Sequence, residues 1–321
     1  MKKNQKIFLV TIILIAIIAT SIIAYSMTTP QTSNKLKVVT TFYPLTFLAQ
    51  EIGGDQIETT QLIPNNTELH GWEPSASHIM AAEDADIILY NGAGADHWME
   101  DDIIPALSSS QTRTVVETTE GLTLIANQED EHEHEEAGEE EHDHGAYDPH
   151  TWLSPFMAKQ QAEKIYNALV AVDPSHESYY TERWLNLKNT LEELDTEYQN
   201  SLSNASKSVI FVSHEAFGYL ADRYGFTQHG VIGISADEQP STATIADMVE
   251  EMEEHQTYVL YVDPVYSDEY IQTIKNEVQT QTGQTVTVLE LYLMLGPFED
   301  LDYLAQMQSN LSNLKTGLGA T

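Results

Sequence analysis

The chain has 321 residues, long enough for two domains of ordinary size, and sets 14 Lys and Arg against 50 Asp and Glu for a formal net charge of −36. Phosphate contacts need clustered basic side chains, so this balance excludes a nucleic-acid partner and favours cationic ligands. The absence of cysteine excludes disulfides, thiolate metal sites and a lipid-modified N-terminal Cys, which leaves His, Asp and Glu to hold any metal.

Lys2, Lys3 and Lys6 precede a largely apolar run over 7–25, about long enough to span a bilayer. Residues 1–27 therefore read as a signal or membrane-anchor segment, followed by a polar linker over 28–34. The basic flank, with an acidic body after it, places that body outside the cytoplasm. No small-x-small cleavage site follows, which favours an uncleaved anchor.

Residues 37–42 alternate as a strand, 44–52 suit a helix, and 57–63 suit a second strand ending in the turn chemistry of Pro64-Asn65-Asn66. A short helix over 75–82 and a buried strand over 85–90 follow. Between 129 and 144 every residue except Ala137 and Gly138 is Asp, Glu or His. Such a segment cannot offset its ordering entropy by burial, so a loop over 129–146 is expected.

Ordered chain resumes at Tyr147, with helical spacing over 156–172. A longer pattern over 176–203 carries Trp184, Leu187, Leu191 and Leu194 on one face. At about 40 Å it exceeds what one compact lobe needs and reads as a strut joining two halves. Strands over 208–212, 231–234, 258–262 and 286–291 then alternate with helices over 216–224, 242–255, 268–282 and 301–314. The fold class is α/β: two lobes of βα repeats with mostly parallel sheets, joined by a long rigid helix. The expected boundaries are 35–173 for the first lobe, 174–204 for the helix and 205–321 for the second lobe.

In open α/β sheets, ligands gather beyond the carboxyl ends of the strands. His70, His150 and His214 fall at such places. Three neutral imidazoles make a site suited to Zn²⁺, with one position left for a carboxylate or water. Gly71 lets the backbone bend beside His70, and Ser75 can cap the next helix. Tyr147 and Trp152 are aromatic neighbours of His150, and His214 leaves a strand where a helix begins. His132, His134, His142 and His144 in the acidic loop suit weak, shifting zinc capture. His78, His97, His176, His229 and His255 lack a second partner at metal-ligand spacing and read as surface or structural residues. Trp72 and Trp152 adjoin the proposed ligands and suit the walls of a cleft.

Three stretches, Glu68-Leu69-His70-Gly71-Trp72-Glu73-Pro74, Tyr147-Asp148-Pro149-His150-Thr151-Trp152 and Phe211-Val212-Ser213-His214-Glu215, resemble the signature segments of the metal-binding proteins of zinc and manganese ABC importers. Thr40-Thr41-Phe42-Tyr43-Pro44, 85–92 and 236–241 support the likeness, which covers about 35–319. The resemblance implies a metal held between two lobes, with His70 and His150 from the first and His214 from the second. A histidine at 214, where manganese members usually carry a carboxylate, favours zinc as the transported ion. A fourth ligand is implied near Glu290, although the sequence there departs from the usual pattern; Asp263 and Glu238 are lesser candidates and water is another. The implied partners are an ABC permease with its ATPase, and the implied state is a monomer outside the cytoplasm, tethered by the N-terminal segment or secreted after cleavage.

Three other readings compete: a manganese or iron importer component, a zinc hydrolase, and an adhesin, the last from family analogy alone. His214-Glu215 has Gly218 where a second histidine would complete HExxH, and no G-x-S-x-G elbow occurs. No enzymatic activity is expected.

Overall fold

The computed structural model describes residues 35–127, 146–233, 241–265 and 269–321. The expected anchor over 1–27, the linker, the four loop histidines and Glu238 lie outside the described residues. Among the described residues, no helix is long and apolar enough to cross a membrane.

Leu36–Thr321 is one compact unit built around two four-stranded sheets. Strands β1 (Leu36–Thr40), β2 (Ile57–Gln61), β3 (Ile87–Tyr90) and β4 (Thr114–Glu117) form the first, in the order β2-β1-β3-β4. Strands β5 (Val209–His214), β6 (Thr227–Ile232), β7 (Val259–Val262) and β8 (Thr287–Glu290) form the second, in the order β6-β5-β7-β8. Every pairing in both sheets is parallel. In each, the chain leaves the central strand to one side and returns on the other, which opens a crevice at the carboxyl end of that strand.

Helices α1 (Tyr43–Gly53), α2 (Ala76–Glu83), α3 (Pro155–Val172), α4 (Glu177–Leu202), α5 (Gly218–Tyr224), α6 (Thr242–Glu254), α7 (Glu269–Thr282) and α8 (Tyr303–Leu318) complete the unit. Their starts follow local chemistry. Pro44 stands in the first turn of α1, where its missing N–H costs nothing. The Asp302 carboxylate caps α8 by accepting from Ala305 N–H at 2.9 Å. At α2, His78 Nδ1 accepts from Ser75 N–H at 2.9 Å, the service Glu or Gln gives in a capping box.

The long helix expected over 176–203 is α4, whose 26 residues span about 39 Å. It buries Tyr180, Trp184, Leu187, Leu191, Leu194, Tyr198 and Leu202 along one stripe, each contributing about 1.5–3 kcal/mol. Near its start, Arg183 Nε donates to Glu51 O at the end of α1 at 2.7 Å. Near its end, the Tyr198 hydroxyl donates to Met307 O of α8 at 2.6 Å. One helix thus packs on α1, which follows a strand of the first sheet, and on α8, which follows the last strand of the second.

Two strands differ from expectation. β4 was not expected, because Thr-Val-Val-Glu is short and half polar; it survives as an edge strand whose only partner among the described residues is β3. β6 starts four residues earlier than the apolar run at 231, since Thr227, Gln228 and His229 lie on an edge that tolerates polar side chains.

Candidate metal centre

Each of the three histidines is held by its own local structure. The Glu68 Oε1 atom accepts from Leu69 N–H at 2.8 Å and His70 N–H at 3.1 Å, which curls the chain at His70. Just upstream, Asn66 N–H donates to Leu295 O at 2.9 Å, tying this loop to the segment after β8.

His150 is anchored from behind. Asp148 Oδ1 accepts from His150 N–H at 2.9 Å and lies 2.8 Å from His150 Nδ1. Asn91 Nδ2 donates to Pro149 O at 2.9 Å, and Asn91 is itself held by Gln161 Nε2 at 2.9 Å. The loop carrying Asn91 is fixed by the buried Asp96 carboxylate, which accepts from Thr41 Oγ1, Asn91 N–H and Gly92 N–H at 2.6–2.8 Å. Burial pushes the Asp96 carboxyl up to about 6.

His214 is the last residue of β5, the central strand of the second sheet. Its Nδ1 lies 2.7 Å from Gly233 O. A carbonyl only accepts, so Nδ1 carries the hydrogen and Nε2 carries a lone pair. The same logic applies to His150, whose Nδ1 meets a carboxylate oxygen that already accepts a main-chain N–H.

These constraints direct the Nε2 atoms of His150 and His214 at one another across 3.1 Å. His70 Nε2 lies 3.2 Å from His150 Nε2, and the three ligand atoms all fall within 4.8 Å. Zn–N bonds of about 2.0–2.1 Å in tetrahedral geometry need nitrogens about 3.3 Å apart. Two lone pairs facing at this distance repel unless a cation or proton stands between them. Burial pushes both His150 and His214 down to about 3, with the neighbouring His150 depressing His214 further, so neither ring supplies that proton near neutrality. The Asp148 carboxyl is raised by burial to about 7.

The walls come from both halves. Trp152 is fully buried, its ring centroid 5.1 Å from that of His150, and its Nε1 donates to Leu293 O at 2.9 Å. The Tyr219 hydroxyl of α5 donates to Asp148 O at 2.6 Å. Trp72 instead packs on Trp98 and His78.

Neither remaining described candidate joins the group. Glu290 ends β8 with its side chain exposed, and its Oε2 accepts from the Tyr292 hydroxyl. As the last residue of β8 it stands outside the cluster of ligand atoms. Asp263 is buried, but its two oxygens accept from Val265 N–H and Leu293 N–H, so it shapes the loop after β7. His229 and His255, read as surface or structural residues without a second partner at metal-ligand spacing, are partly exposed as a surface reading requires, but they do not lack a partner. They meet Glu251 in a second cluster, and the visible signal was the four-residue spacing of Glu251 and His255 on one helix.

Residues 38–317 match the family described as the periplasmic component A of the zinc-uptake complex. The high-affinity zinc uptake system protein ZnuA of Bacillus subtilis (strain 168) is 32% identical over 288 residues, which cover 89% of this chain and 88% of that protein. Among solved structures, the Zn(II)-bound ZnuA-like domain of Streptococcus pneumoniae AdcA is similar with a TM-score of 0.73 at 27% identity, over 89% of this chain and 99% of that one. The laminin-binding protein Lmb of Streptococcus agalactiae, described as bifunctional with adhesin and metal-transporting activity, is similar with a TM-score of 0.75 at 26% identity, over 89% of this chain and all of that one.

Proposed function

The chain belongs to the family of periplasmic zinc-uptake component A proteins, and from that premise we propose that it captures Zn²⁺ through His70, His150 and His214 and delivers it to an ABC permease. The observation that carries this reading is the convergence of three Nε2 atoms, two of them on rings fixed in the tautomer that leaves Nε2 its lone pair. The fourth position is left to water or to Glu238, since among the described residues no carboxylate joins the cluster.

Zinc rather than manganese or iron is the cargo. An all-imidazole set suits a borderline-soft ion, and manganese prefers oxygen donors. The ion is carried and not used as a catalyst: Glu215, beside His214, accepts from Gly230 N–H at 2.7 Å and so is committed to β6 rather than poised as a base. The apolar run over 7–25 tethers the domain on the outer side of the membrane. The domain boundaries are 35–173, 174–204 and 205–321, and the chain works as a monomer. Release follows when docking on the permease favours a form in which the two sheets' ligands part.

Calorimetric titration of the full chain with Zn²⁺ and Mn²⁺ tests the assignment. One tight zinc equivalent, abolished by His214→Ala and bound at least about a hundredfold more tightly than manganese, is expected of an all-imidazole site. Equal affinity for the two ions would remove the case for zinc as cargo, and turnover of ester or peptide substrates by zinc-loaded protein would favour a hydrolase.

A further inference from the structure

A second set of metal-binding side chains gathers away from the three-histidine centre. His229 lies in β6, where it pairs with Phe211 of β5 and stacks on that ring with centroids 5.8 Å apart and planes at 30°. Glu251 and His255 stand four residues apart at the end of α6, so one helix face presents both. His255 Nε2 lies 3.3 Å and His229 Nε2 3.9 Å from Glu251 Oε2. One ligand atom from each of the three residues falls within a 4.8 Å set. The geometry points to a second divalent-metal site, made of His229, Glu251 and His255, that bridges β6 and α6.

Two imidazoles and one carboxylate suit zinc and its first-row neighbours rather than magnesium or calcium, which take oxygen donors. The three side chains are 37–40% exposed, so the small rotations that bring the donors to bonding distance are open to them, and water fills the remaining coordination positions. Lys207, at the same helix end, donates to the main-chain oxygens of His255 and Gln256 and not to Glu251. Phe211 belongs to the apolar layer shared with Met248, Val249 and Met252 of α6. The site therefore sits on the α6 side of the second sheet and shares no ligand with His214. A bound ion would pin α6 to the edge strand.

The test is calorimetric zinc titration of the full chain at pH 7.5, comparing wild type with His229→Ala/His255→Ala. Both proteins keep the three-histidine centre and the acidic loop, so the difference between them reports this cluster. The double variant is expected to lose one zinc equivalent of the weaker class while the tight equivalent is unchanged. Should the double variant fail to fold, the single variants His255→Ala and Glu251→Gln at exposed positions serve, each expected to weaken that equivalent at least about tenfold. Zinc-edge diffraction from crystals soaked in zinc should place an anomalous peak among the three side chains. Identical stoichiometry and affinity in all variants, or crystals with zinc elsewhere and none here, would overturn the site. His70→Ala separates the two centres, since it removes the tight equivalent and leaves this one.

Discussion

Gly218 and Asp148 are packed so closely that a methyl group at position 218 would overlap Asp148 Oδ2, while the other carboxylate oxygen lies 2.8 Å from His150 Nδ1. The first residue of α5 thus sets where the carboxylate stands, and the carboxylate sets the tautomer and tilt of a proposed ligand. Groups that orient metal-bound histidines in this way typically contribute ten- to a hundredfold in affinity.

Gly218→Ala should therefore weaken zinc binding by about 10–100-fold with little change in far-UV circular dichroism. Competition against a chelator of known affinity reads the effect. Unchanged affinity would mean that Asp148 can shift without disturbing His150.

Asp148→Asn should be worse than its size suggests. The amide can turn its NH₂ toward Nδ1, which favours the tautomer with hydrogen on Nε2 and removes the lone pair from the centre. A loss of about 10–100-fold in zinc affinity is expected, with no loss if the carboxylate acts only as packing.

The pH dependence has a defined sign. Burial holds His150 and His214 near 3, against about 6.5 for an ordinary histidine. Unfolding therefore takes up protons between these values. The rings' contribution to stability is full above about 6.5 and is lost toward pH 3, at up to about 1.4 kcal/mol per pH unit for each ring. Asp148, raised to about 7, acts oppositely: its contribution is full below the ordinary carboxylate range and is lost as pH rises through 7. In zinc-free protein the ring-proton resonances of His214 should stay flat from pH 8 to 5, whereas those of His150 should report the titration of Asp148 near 7; protonation of the His214 ring itself with a midpoint near 6.5 would contradict this burial.

Trp152→Phe should cost about 2–4 kcal/mol in urea unfolding, because Leu293 O loses its donor and a void opens in a fully packed position. A change below about 0.5 kcal/mol would show that the indole hydrogen bond and the packing around it contribute little.

Much of the fold is legible in the sequence because its signals are strong and local. The stripe from Trp184 to Leu194 announces a helix, observed as Glu177–Leu202, and the apolar run at 85–90 announces β3, observed as Ile87–Tyr90. The edge strands are harder to read, since β4 and the start of β6 carry polar side chains where an edge permits them. The three histidines stand out through the segments around them, and the structure brings their rings together. The orienting partners do not stand out: the Asp148–His150 contact is only two residues in span, but Gly233 reaches the His214 ring, and Gly218 the Asp148 carboxylate, through folding alone. Glu290 is implied by the resemblance alone, and at the end of β8 its side chain meets the Tyr292 hydroxyl instead. His229 met Glu251 and His255 only through the pairing of β6 with β5, which no local pattern encodes.

Zinc-edge anomalous diffraction from the zinc-loaded full chain tests the central claim most directly. The account predicts a peak about 2.1 Å from the Nε2 atoms of His70, His150 and His214 together. A tightly held zinc that touches fewer than two of these three nitrogens would contradict it.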